Sequence, residues 1–196
     1  MNYLFFVEGE TEQSLVKKQF HGKGEVLNLW NANLKKIQAK IQRLSPRDTY
    51  LFIVFDTDEL GNVLNFIGTI NSLKTHCKEL FILQQMRNFE DELCHACQCK
   101  MTELFAMFAA DGKNNFKQRF IASSDCLSQL KKQGFSLERL WARRLIDELD
   151  CLKKNRADGK SLGTIRQLVR IPPEYPPCEG EGVLLGKDSG LIGLLA

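Results

Sequence analysis

The stretch Tyr3-Leu4-Phe5-Phe6-Val7-Glu8-Gly9-Glu10-Thr11-Glu12 decides how the chain is read. An apolar and aromatic run stops abruptly at an acid, a glycine and two further acids. So short a run, with no polar alternation, predicts a strand buried on both faces, as in a parallel sheet. The stretch Tyr50-Leu51-Phe52-Ile53-Val54-Phe55-Asp56-Thr57-Asp58 repeats the design. In parallel sheets, binding and catalytic groups gather just beyond the carboxyl ends of the strands. Two acid-tipped strands therefore point to one shared, negatively charged site.

Working outward, residues 11–20 have helical spacing, with Leu15, Val16 and Phe20 on one side. Gly22, Lys23 and Gly24 break that helix. A strand is expected over 25–30 and a helix over 31–44, carried by Leu34, Ile37, Ile41 and Leu44. Ser45-Pro46-Arg47-Asp48 is a turn before the strand at 50–55. Beyond Gly61, the spacing of Val63, Phe66, Ile67, Ile70 and Leu73 gives a third helix, followed by a strand at 79–83. Asn88 then caps a helix beginning Phe89-Glu90-Asp91-Glu92. Four successive β–α units predict an α/β domain over residues 1–99, a four-stranded parallel sheet with helices on both faces. From residue 100 the spacing is helical, at 101–110, 115–121, 126–133, 137–152 and 161–169, which predicts a C-terminal helical subdomain over 100–170. Residues 171–196 hold four of the five prolines and read as an irregular tail.

The 196 residues and 43% hydrophobic content suit one compact domain with a helical appendage. No run is long and apolar enough to span a bilayer, so no membrane association is expected. Seven cysteines without a secretory signal read as reduced thiols of a cytoplasmic protein. Net charge is +3, but residues 100–170 hold 15 Lys/Arg against 8 Asp/Glu. A basic segment beside an acidic site fits an enzyme acting on a polyanion, although charge alone is more simply read as a solvated lysine-rich surface. Lys113, Lys117, Arg143, Arg144, Lys153 and Lys154 are the candidates for gripping a nucleic-acid backbone. The interleaved Phe116, Phe120, Phe135 and Trp141 are at helical spacing and read as core.

Glu8 and Glu12 lie four apart, so an early helical turn brings both to the strand tip. Asp56 and Asp58 share one side of an extended end. Converging carboxylates repel unless a cation sits among them. Their hard oxygens suit Mg²⁺ or Mn²⁺, held together with water and phosphate. One such ion polarises a phosphodiester, and two stabilise the attacking and leaving oxygens. Glu10 and Glu59 read as acids favouring helix N-termini. Cys94, Cys97 and Cys99 carry a zinc-like spacing, but Leu93, Cys94, Cys97, Met101 and Leu104 form a helical apolar pattern in which cysteine is a small core residue.

A strand ending in Val7-Glu8-Gly9, a β–α unit, and a strand ending in Phe55-Asp56-Thr57-Asp58 resembles the Toprim domain of topoisomerases, primases and nucleases. The resemblance covers residues 1–99. Glu12 after Glu8, and Asn88-Phe89-Glu90 after the fourth strand, are most similar to the OLD and RloB-like branches. It implies a Rossmann-like Toprim fold, with Glu8 as general acid/base or metal ligand. Asp56 and Asp58 would be metal ligands, supported by Glu12 and Glu90. It also implies a nucleic-acid substrate, a phage-defence setting, and a separate ATPase partner, since no Gly-x-x-x-x-Gly-Lys-Ser/Thr run occurs. OLD-type nucleases use a further lysine, for which Lys113, Lys117 and Lys160 are candidates, each also readable as a surface lysine. Leu60 stands where topoisomerases and primases carry a third acid, which turns the expectation from those branches toward nucleases. Two hypotheses result: a metal-dependent nuclease, or a non-catalytic nucleic-acid- or protein-binding module that keeps the fold.

Overall fold

The structure, a computed structural model, describes residues 2–58, 60–159 and 161–162. Glu59, Lys160, most of the helix expected at 161–169 and the tail at 171–196 lie outside the described residues. Strand β1 (Asn2–Val7) leads to helix α1 (Glu10–Phe20), and β2 (Lys23–Val26) leads to α2 (Leu34–Ile41). Strand β3 (Thr49–Asp56) is followed by α3 (Val63–Lys74), and β4 (Glu79–Gln85) by α4 (Phe89–Cys97). Helices α5 (Met101–Met107), α6 (Lys113–Ala122) and α7 (Cys126–Lys132) follow, and a 3₁₀ helix spans Asp147–Asn155.

The four strands form one all-parallel sheet in the order β2-β1-β3-β4. Alternation along each strand sends side chains to two cores. Phe5, Val7, Phe52, Val54 and Leu83 face one side, where α1 and α4 pack. Leu4, Phe6, Leu51, Ile53, Phe55, Leu80 and Ile82 face the other, against α2, α3 and the 3₁₀ helix. Helices thus cover both faces, as the apolar runs require. Each fully buried phenylalanine stabilises by roughly 1.5–3 kcal/mol, and Phe5, Phe52 and Phe81 stack in sequence at 4.6 and 5.1 Å.

The first of these cores runs without a break from the sheet into Phe108, Phe116, Phe120, Leu130, Leu140 and Trp141. Residues on either side of position 100 therefore share one packed interior.

Two elements differ from the sequence expectation. The edge strand occupies Lys23–Val26 rather than 25–30, because pairing with Leu4–Val7 is a backbone matter that tolerates Lys23 and Gly24. Leu27, Leu29 and Trp30 are buried as a loop. The continuous helix expected at 137–152 is absent: the chain turns at Trp141 (φ 57°) and only later forms the 3₁₀ helix. Tertiary partners impose the turn. Glu92 Oε1 accepts from the Trp141 N–H at 2.6 Å, and the Gly159 N–H donates to Leu140 at 2.8 Å. Gly159 packs so closely that a Cβ there would lie 1.8 Å from the Leu137 carbonyl oxygen. The chain then covers the outer edge of β4 through a bridge between Ile82 and Arg156.

The strand order positions the site. From β1 the chain crosses to β2 on one side, whereas β3 lies on the other. The order reverses between β1 and β3, and such a reversal opens a crevice at the carboxyl ends. Glu8 and Asp56 flank it.

Candidate functional site

Glu8 follows the last residue of β1, and Gly9 caps α1 in extended geometry (φ −139°). The glycine leaves room for the Glu12 carboxyl: a Cβ at position 9 would stand 2.8 Å from Glu12 Oε2 and displace it. Glu12, in the first turn of α1, therefore folds its carboxyl back over Gly9 towards the strand ends and is 5% exposed. Asp56 is the last residue of β3, opposite Gln85 of β4. The chain bends immediately afterwards, with the Thr57 and Asp58 N–H groups both donating to the Arg87 carbonyl. Asp58 thus lies in a bend rather than on an extended end, and it is exposed, although its charge is felt by Glu8 and Asp56.

The acids raise one another's proton affinity. Burial first, and then the charges of Glu12, Glu8, Asp58 and Glu90, push the Asp56 carboxyl up to about 9. Burial pushes Glu8 up to about 7; the Asp56 backbone opposes this, and the charges of Glu12 and Asp58 add to it. Burial also raises Glu12, while Lys117 and Lys113 pull it down. Near neutral pH the cluster therefore retains protons, which a cation would displace.

The polar partners are few. Asn28 Nδ2 donates to Glu8 Oε2 at 3.1 Å, while Glu8 Oε1 is buried with no hydrogen bond among the described residues. The Gln85 amide lies against Glu12 Oε1 and Asp56 Oδ1; its nitrogen is assigned to that side because ionised carboxylates only accept, and it then donates to Glu12 Oε1 at 3.3 Å and to Asp56 Oδ1. The Trp30 indole N–H donates to the Asp56 carbonyl at 2.9 Å and anchors the strand end.

Glu90, second residue of α4 and 1% exposed, adds a further acid. Lys113 and Lys117, one turn apart at the start of α6, reach it at 3.4 and 3.6 Å. Neither contact has hydrogen-bond geometry, and both Glu90 oxygens lack a hydrogen-bond donor among the described residues. The two lysines, half exposed, stand as cations beside the acids.

The other cations have different neighbours. Arg143 lies 3.9 Å from Glu92 and donates to the Asp91 carbonyl at 2.9 Å. Arg144 and Lys153 pair at the surface with Asp147 (3.2 Å) and Asp150 (3.1 Å), and Lys154 is exposed. Cys94 and Cys97 lie on α4, with Cys97 in the core, and burial pushes both thiols up to about 12.

Among the described residues no group of three or more His, Cys, Asp or Glu side chains is arranged to hold one metal ion. Mg²⁺ itself commonly takes one or two carboxylates and completes its shell with water and phosphate. The all-oxygen donor set and the orphaned Glu8 Oε1 fit such an ion.

Sequence reasoning missed Gln85 and Asn28. The signal for Gln85 was present: two amides, Gln84 and Gln85, directly follow the apolar run 80–83 of β4. No helix among the described residues is long and apolar enough to cross a membrane. Comparisons with protein-family models, curated proteins and solved structures found no match for the chain.

Proposed function

We propose that the chain is a Mg²⁺- or Mn²⁺-dependent nuclease of the Toprim type, cleaving phosphodiester bonds in nucleic acid. The observation that carries this reading is the gathering of Glu8, Glu12 and Asp56 at the reversal of strand order, with Lys113 and Lys117 alongside. The Toprim-like motifs Val7-Glu8-Gly9 and Asp56-Thr57-Asp58 agree with it, and with it the expectation of an ATPase partner in phage defence.

Asp56 and Glu8 would hold the ion, water and phosphate would complete its shell, and Glu12 and Asp58 would add negative charge nearby; when bound, the ion supplies Lewis-acid polarisation of the phosphoryl group. In the absence of the ion Glu8 is pushed up to about 7, so taking up the cation near neutral pH would release its proton. Lys113 and Lys117 offer positive charge to a phosphate approaching the crevice. Asn28 holds one Glu8 oxygen and leaves the other free for chemistry.

The test is cleavage of DNA and of RNA with Mg²⁺ or Mn²⁺ by the wild type, Asp56→Ala and Glu8→Ala. Each substitution is expected to lower the rate at least about 10³-fold, or ~4 kcal/mol in barrier. Unchanged cleavage in both variants contradicts the assignment. No cleavage and no metal binding at millimolar metal would leave the non-catalytic binding module as the reading.

A further inference from the structure

Gln85 closes β4, lies in register with Asp56 and is fully buried at 0% exposure. It shares the face of Leu83, towards α1 and α4. Its neighbour Gln84 is also buried, but serves a clamp elsewhere. The Gln84 amide donates to the Arg144 carbonyl at 2.9 Å and accepts from the Ile146 N–H at 3.0 Å. The Gln85 amide instead lies against two acids, Glu12 and Asp56; with its nitrogen assigned to their side, as ionised carboxylates require, it donates to both. A primary amide carries two hydrogens, so one side chain serves both carboxyls. An apolar residue would suit the packing, as Leu83 does two residues earlier. The amide is explained by the acids.

We propose that Gln85 is a positioning residue for the metal-binding acids, fixing one oxygen each of Asp56 and Glu12 and leaving the other for a divalent cation. This rests on the metal-dependent reading above. Partners that orient ligating groups typically change metal affinity 10–100-fold when removed.

The test is Mn²⁺ binding followed by electron paramagnetic resonance, on wild type, Gln85→Met and Gln84→Met, with thermal melting alongside. Methionine keeps the length and removes the donor. Gln85→Met is expected to weaken Mn²⁺ binding 10–100-fold, while Gln84→Met lowers the melting temperature and leaves the affinity of the folded protein unchanged. A second measurement needs no variant: on adding Mg²⁺, the Gln85 side-chain NH₂ resonances of the wild type should shift. Wild-type affinity in Gln85→Met, or unmoved NH₂ resonances in a protein that binds Mg²⁺, overturns this assignment alone. A wild type that binds no Mn²⁺ overturns it together with the reading on which it rests.

Discussion

Glu90 and Glu92 stand two residues apart on α4 and are equally removed from water, at 1% and 0% exposure, yet their surroundings differ in kind. Glu92 accepts a 2.6 Å hydrogen bond from the Trp141 N–H and lies beside Arg143. Those contacts hold a left-handed backbone turn, so its burial is explained by architecture. Glu90 has no hydrogen-bond donor among the described residues and faces the region of Glu12 and Asp56, with Lys113 and Lys117 nearby. Burial alone does not mark a functional acid. What separates the two regions is how far the surrounding chain answers the charge: at Glu92 one oxygen is hydrogen-bonded and only Oε2 lacks a donor among the described residues, whereas at Glu90 neither oxygen has one.

The sharpest way to break this contrast is at the structural acid. Glu92→Ala removes the acceptor of a buried N–H and leaves Arg143 without its carboxylate. It should lower stability by about 3 kcal/mol, measured by urea unfolding. An unchanged midpoint would erase the distinction.

A cation should act on the other region alone. The folded protein holds protons on Glu8 up to about pH 7 and on Asp56 up to about pH 9, well after unfolded carboxylates have lost theirs. The folded state thus binds more protons than the unfolded state, and stability falls as pH rises from about 4 towards 9. A divalent ion replaces those protons, so its stabilising effect should grow with pH. At about 100 times the dissociation constant, it is expected to reach ~2.7 kcal/mol. Thermal melts with and without Mn²⁺ at pH 6 and pH 8.5 check this. In Glu92→Ala the metal increment should persist; in Asp56→Ala it should be lost.

The smallest effect runs the opposite way from that of Glu92→Ala. Asp56→Asn removes a carboxyl that must take up a proton to be buried among the other acids, and should stabilise the metal-free protein by roughly 0.5–2 kcal/mol, more at pH 8.5 than at pH 5 because that uptake costs more as pH rises. A loss of stability at pH 8.5 would place Asp56 with Glu92 among the structural acids.

The parts legible in the sequence were those whose cause is local. Apolar runs ending in acids identified β1 and β3, and the Asn88 side chain caps α4 as its position suggested, accepting from the Asp91 N–H at 3.1 Å. Asn33 caps α2 likewise, which delays its start to Leu34. The parts that were not legible depend on distant partners. Residues 137–152 have helical spacing, but Glu92 and Gly159 impose a turn through contacts 49 residues upstream and within van der Waals reach downstream. Lys113 and Lys117 are among the cations that the sequence singles out, but their place beside Glu90 follows only from the packing of α6 beside α1. Asp58 follows Asp56 by two, yet the pull of the Arg87 carbonyl on both following N–H groups ends the extended geometry that the spacing assumed. Gln85 acquires meaning only once β4 is seen to lie beside β3.

The central claim is that the edge formed by Glu8 and Asp56 binds a divalent cation. Crystals grown with millimolar Mn²⁺ and measured at a wavelength with manganese anomalous signal test it most directly. The account predicts an anomalous peak within coordination distance of both the Glu8 and the Asp56 carboxyls. A density map with both side chains ordered and no peak between them would contradict it.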